Sequence, residues 1–94
     1  MKQNELHPDI ADFVSSLTRL ENILSEYEAV FWAGKISRVK KIAEKSDGYS
    51  VEMFLSFFGG MGSLNDLILT APASVNVQLR EELSRAFSLA KKLN

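Results

Sequence analysis

The chain has 94 residues, 46% of them hydrophobic and 24% charged, with a net charge of −1 and no cysteine. This suits one small globular domain over 1–94 with a modest core, and it excludes disulfides, thiolate metal sites and cysteine nucleophiles. No apolar run approaches the ~20 residues needed to cross a bilayer. Residues 1–13 also lack the apolar core of a secretory signal, so the expectation is a cytoplasmic protein with no membrane partner.

Four helical segments and a short fifth are predicted. Pro8 and Asp9 open the first, and Ile10, Phe13, Val14, Leu17, Leu20 and Leu24 then recur at the spacing of one helix face. Asp9 and Asp12 stand where the helix dipole favours negative charge. Ser25 and Glu28 match an S-x-x-E capping box, which predicts a break and a second helix from about Glu26 to Lys45, although one helix running through Ser25 is the alternative. Trp32, Ile36, Val39 and Ala43 form the stripe of that second helix.

Asp47-Gly48 reads as a turn, with Ser50 capping a third helix whose apolar face is Val51, Phe54, Leu55 and Phe58. Gly59-Gly60 is expected to stop it. Leu64 to Leu69 has no strand to pair with and is read as a short helix, broken by Ala71-Pro72. The last helix carries Val75, Leu79, Leu83, Ala86, Ala90 and Leu93, with Phe87 alongside. Segments of this kind joined by short loops predict an all-α fold, a compact bundle of four helices plus a short extra helix after the glycine-rich joint.

Charge is uneven along the chain. Residues 1–31 hold six acids (Glu5, Asp9, Asp12, Glu21, Glu26 and Glu28) against Lys2 and Arg19, whereas residues 32–46 hold Lys35, Arg38, Lys40, Lys41 and Lys45 against Glu44. Such a layout steers a charged partner, or else represents two helix faces pairing with each other. The basic cluster lacks interleaved exposed aromatics in this reading, and the chain is not basic overall, so no nucleic-acid partner is expected.

The stretch FFGGMGSLNDL, residues 57–67, is the best candidate for chemistry. It has no lysine and no preceding strand, so it is neither a phosphate loop nor a dinucleotide fingerprint. Helix punctuation explains most of it: Gly59 or Gly60 as a stop, Met61 as a core plug, Gly62 as a turn, and Ser63 with Asp66 as a capping box. Asn65 is expected to tie the joint through its amide. A backbone anion nest at the glycines and a partner-contact loop are the alternatives. His7 is the only histidine and has no partner with which to build a zinc site. Trp32, beside Phe31, is read as core rather than as an interface anchor. No catalytic residue, metal site or cofactor is expected.

The block FFGGMGSLNDLIL, with Trp32 before it and Asn76 and an amphipathic helix after it, resembles a family of small bacterial all-helical proteins of uncharacterised function. Trp32, Gly59, Gly60, Met61, Gly62, Ser63, Asn65, Asp66 and Leu67 stand at that family's positions. Leu64 departs from its frequent phenylalanine, and the connection to the last helix is shorter. The resemblance implies a helical fold and supplies no catalytic residues. Proteins of this size and composition are similar, by analogy, to the immunity proteins of toxin systems such as contact-dependent inhibition. The expected function is therefore to bind and neutralise a cognate toxin, with a cationic nuclease suiting contacts at Asp9, Asp12, Glu21, Glu26 and Glu28. Self-association as a structural or adaptor protein, as a homodimer rather than a monomer, and small-anion binding at the glycine loop are the alternatives.

Overall fold

A computed structural model describes residues 8–45, 48–58 and 63–94. Four helices account for most of them: α1 (Pro8–Glu26), α2 (Val30–Ala43), α3 (Tyr49–Leu55) and α4 (Ala73–Leu93), with a short 3-10 turn over Leu64–Asp66. Among the described residues there is no strand. α1 packs against α2 and α4, α2 against α3, and α3 against α4, so the four helices close a ring around one core. The Cα radius of gyration is 13.0 Å, close to the ~12 Å expected of a compact chain this long.

The predicted stripes meet at the centre. Phe13, Leu17, Leu20 and Leu24 from α1, Ile36, Val39 and Ala43 from α2, Phe54 from α3 and Leu79, Ala86 and Ala90 from α4 are fully buried. Trp32 is only half-buried and sits at the flank, while Ala33 takes the inward position on the first turn of α2. The small side chain there leaves the indole to pack edge-on against Phe57, with ring centroids 5.4 Å apart.

The break between α1 and α2 falls where expected but has a different cause. Ser25 lies inside α1 and does not cap α2, whose N-cap is Ala29 with no side-chain hydrogen bond. Instead α1 ends in a Schellman motif: the Ala29 N–H donates to Leu24 O (2.8 Å) and the Glu28 N–H to Ser25 O (3.2 Å). Glu28 takes the left-handed conformation this requires, at φ 61°, a position where glycine is preferred because a Cβ crowds the following carbonyl. Glu28→Gly is therefore expected to raise stability by about 0.5–1 kcal/mol, read from urea unfolding. An unchanged or lowered midpoint would mean that the glutamate side chain compensates for its own backbone strain.

α3 corrects two expectations. Ser50 is not a cap: Gly48 is, and the Ser50 hydroxyl is fully buried with no hydrogen-bond partner. Gly48 itself has φ −61°, so it does not adopt a conformation peculiar to glycine. Regular helix stops at Leu55, ahead of the glycines; Ser56 Oγ donates to Met53 O (2.6 Å), and tighter bonds carry Phe57 and Phe58 round a final turn.

The Leu64 N–H donates to Phe57 O (2.8 Å), which clips together the two ends of the glycine-rich joint. Gly59, Gly60, Met61 and Gly62 lie outside the described residues, as do His7, Asp47 and the side chain of Asn65. Ser63 precedes the 3-10 turn without a side-chain cap bond to it, so the Ser63–Asp66 capping box does not form. The helix expected over Leu64 to Leu69 is only half present. Leu67 is extended, and both polar groups of the Leu69 backbone are taken by Asn76: Leu69 N–H donates to Oδ1 (2.8 Å) and Nδ2 donates to Leu69 O (3.1 Å). One side-chain amide thus stands in for a neighbouring strand, satisfying a peptide that would otherwise lack partners.

Candidate interaction surface

The five acids expected to make contacts do not form one face. Asp9 lies 3.6 Å from Lys92 of α4, and Glu21 lies 2.8 Å from Lys40 of α2, with both members of the second pair mostly covered. One links α1 to α4 and the other links α1 to α2. Asp12 is exposed near Arg19 and Arg85. Glu26 and Glu28 are exposed at the α1–α2 joint, beside Tyr27 and Thr70. Asp66 is exposed on the 3-10 turn, while Ser63 is buried.

The most buried charge is one the sequence reading passed over. Glu82 of α4 accepts hydrogen bonds from Ser16 Oγ (2.5 Å), Arg19 Nε (2.9 Å) and Arg19 Nη2 (3.2 Å), with Arg85 Nε at 3.7 Å. Burial pushes its carboxyl up, but the bonds from Arg19 and Ser16 and the charges of Arg19 and Arg85 outweigh that and hold it below the ordinary carboxylate range. A carboxylate ionised this firmly is a poor proton carrier at neutral pH, and Ser16, fully buried, is closed to a substrate. The cluster fastens α1 to α4. The signal was legible, since position 82 falls within the stripe running from Leu79 to Ala86.

A different surface lies across α2 and α3. Phe31 is 67% exposed, and its ring meets Trp32 edge-on at 5.3 Å. Lys35, one helical turn on, places its ammonium 5.1 Å from the Phe31 ring centroid and 5.5 Å from that of Phe57. Beyond it a groove of about 360 Å³ opens, lined by Lys35 and Arg38 from α2 and by Tyr49, Met53, Ser56 and Phe57 from α3 and its final turn. The basic cluster is thus interleaved with aromatics, contrary to the reading of the sequence in isolation. Phe31 and Lys35 are four apart, a spacing that already places them together. Phe57 arrives from another helix, which no local pattern announces. Val30, Tyr49, Ile68 and Val77 are further large apolar residues left facing solvent.

The fold and this face define an all-helical domain with an exposed aromatic and cationic surface. The chain belongs to the family of the domain of unknown function DUF6966, whose profile matches residues 25–78. The match takes in α2, α3, the glycine-rich joint and the start of α4, and so contains the whole aromatic–cationic face, whereas Asp9, Asp12, Glu21 and Glu82 lie outside it. No curated protein and no solved structure matches the chain. Among the described residues no group of acids and histidines is placed to hold a metal ion, and no helix is long and apolar enough to cross a membrane.

Proposed function

We propose that this protein is a cytoplasmic binding module of the immunity type, which neutralises a cognate toxin by protein–protein contact and performs no chemistry of its own. In this reading the four helices act as a compact bundle, with the 3-10 turn after the glycine-rich joint as a cross-tie. The observation that supports it is the exposed aromatic face, above all Phe31 at 67% exposure. Covering such a ring on binding releases about 1.5–3 kcal/mol, and aromatic anchors of this kind dominate interface energies. Asp12, Glu26 and Glu28 are free to meet a cationic partner such as a nuclease, whose approach complementary charge would speed. Asp9 and Glu21 serve such a contact less directly, through the ion pairs that position α1.

Co-expression with a toxin encoded beside the gene tests the proposal. The wild-type protein is expected to rescue growth, and Phe31→Ala, or Asp12→Lys combined with Glu26→Lys, to weaken rescue without lowering the melting temperature. Failure of the folded wild-type protein to bind or rescue from any adjacent toxin would sink the reading. The same exposed apolar residues favour self-association as a second reading. A concentration-independent monomer in sedimentation would remove that one.

A further inference from the structure

The groove between α2 and α3 carries positive charge that no carboxylate among the described residues answers. Among the described residues, Lys40 pairs with Glu21, Lys92 with Asp9, and Arg19 and Arg85 with Glu82, but Lys35 and Arg38 pair with no carboxylate. Lys35 is nonetheless held in place: its ammonium rests against two aromatic rings, which attract it through their quadrupoles and fix its direction without supplying a counter-charge. Arg38 is exposed three residues further along the same helix, about 5–6 Å away between Cβ atoms.

The opposite wall is apolar and adaptable. Tyr49 and Met53 lie four residues apart on α3, and Ser56 with Phe57 follows three to four residues later on its final turn, so they form one row along α3 and that turn. That row spans about 12 Å at the helical rise, the length of two turns. Met53 is half-buried, and its flexible thioether reshapes readily around an incoming side chain. A groove two turns long with Met53 and Phe57 on one wall, flanked on the other by a ring-held Lys35 and an exposed Arg38, is the complement of an amphipathic segment with acids beside its apolar stripe.

Resting on the contact-binding reading above, we infer that this groove is the seat for a short acidic segment of the partner protein, which lays an apolar side chain against Met53 and Phe57 and places carboxylates on Lys35 and Arg38. Nucleic acid is the poorer match. Two cations on a chain of net charge −1 neutralise too few phosphates to hold a strand at physiological salt. The acids at Asp12, Glu26 and Glu28 belong to other elements and do not line this groove.

The test uses a synthetic peptide about three helical turns long, with leucines on one face and glutamates flanking them. Its controls are the same peptide with glutamine for glutamate and a single-stranded oligothymidylate. The glutamate peptide is expected to shift the amide and side-chain resonances of Lys35, Arg38, Met53 and Phe57 and to alter Trp32 fluorescence. The glutamine peptide is expected to bind at least about 10-fold more weakly, because the two cations are left unpaired. Lys35→Glu with Arg38→Glu is expected to abolish binding while leaving the melting temperature unchanged. Equal binding of the two peptides, resonance shifts confined to another face, preference for the oligonucleotide, or self-association sensitive to the same double substitution would each overturn the inference. Growth rescue separates it from the broader proposal. If the double variant still neutralises the toxin, contact binding stands and the groove assignment fails; if the groove binds the glutamate peptide but the wild type rescues nothing, the reverse holds.

Discussion

Phe54→Ala is expected to cost about 3–5 kcal/mol of stability and to lower the melting temperature by more than about 10 °C, because it removes the ring on which α3 is docked. Phe54 is fully buried and meets three other aromatics edge-on: Phe13 of α1 at 5.4 Å, Phe58 at 5.1 Å and Phe57 at 6.2 Å. A helix of seven residues has no stability of its own in water, so α3 exists because its buried face is held. Removing that ring leaves a cavity that the ring of helices around it can only partly close. Against a total stability of about 5–15 kcal/mol this brings the domain near its limit. Urea unfolding followed by Trp32 fluorescence measures the loss, since the indole packs on Phe57 next to the site. Phe31→Ala is the control: its exposed ring contributes little to folding, and the cost is expected to stay within about 0.5 kcal/mol. Equal losses in the two variants would show that α3 is not docked through Phe54.

Glu82→Gln is expected to cost about 1–2 kcal/mol at neutral pH and to flatten the acid limb of the stability curve. Glutamine keeps the shape but removes the charge that Arg19 and Ser16 are arranged around. Half of the Arg19 side chain is exposed, so solvent screens the pair and the cost stays below that of a fully buried one. The sign follows from the direction of the shift. Glu82 ionises more easily in the folded protein than at its ordinary value of 4.5. It therefore contributes stability above that value, and the contribution is lost as pH falls through the lower folded-state value. Wild type and variant should thus differ most at neutral pH and converge in strong acid. Urea midpoints compared at neutral and acidic pH check this, and a gap of constant size would show that the charge is not what fastens α1 to α4.

These two residues lie on opposite sides of a division that also bears on function. Phe54 and Glu82 hold the ring of helices shut, and neither is placed to meet a partner. Phe31, Lys35 and Arg38 on the face across α2 and α3 are exposed and cost the fold little to alter, which is why substitutions there report on binding rather than on folding. Glu28 is the exception among the candidate contacts: its side chain is exposed, yet its backbone carries the left-handed turn that ends α1. A change there alters stability as well as contact, so Asp12 and Glu26 are the cleaner probes of an acidic interface.

Much of the architecture was legible in the order of residues. The apolar stripes of α1 and α4 follow from helical periodicity, since each is long enough for the 3.6-residue repeat to recur and so identify one face. The absence of cysteine, of a long apolar run and of a lysine in the glycine-rich stretch depends on composition alone. The capping boxes at Ser25 and Ser63 and the cap at Ser50 were misread for one reason. A serine near a helix end has several ways to satisfy the backbone, and the choice depends on which neighbouring carbonyls are already occupied. Ser25 supplies its carbonyl to a Schellman motif; Ser50 is drawn into the core by the packing of α3.

Local periodicity, composition and the pairing of Phe31 with Lys35 one turn apart were determined by the sequence itself, because they depend only on residues close together along the chain. The tertiary structure alone decided that Glu82 meets Ser16 and Arg19 across more than sixty positions, and that Asn76 closes the extended backbone at Leu69. It also brought Phe57 and Met53 opposite Lys35 and Arg38 to make a groove. Those contacts arise from how α1, α2, α3 and α4 close on one another. Ring closure is set by the summed burial of all four apolar faces, a quantity that no window of the sequence contains.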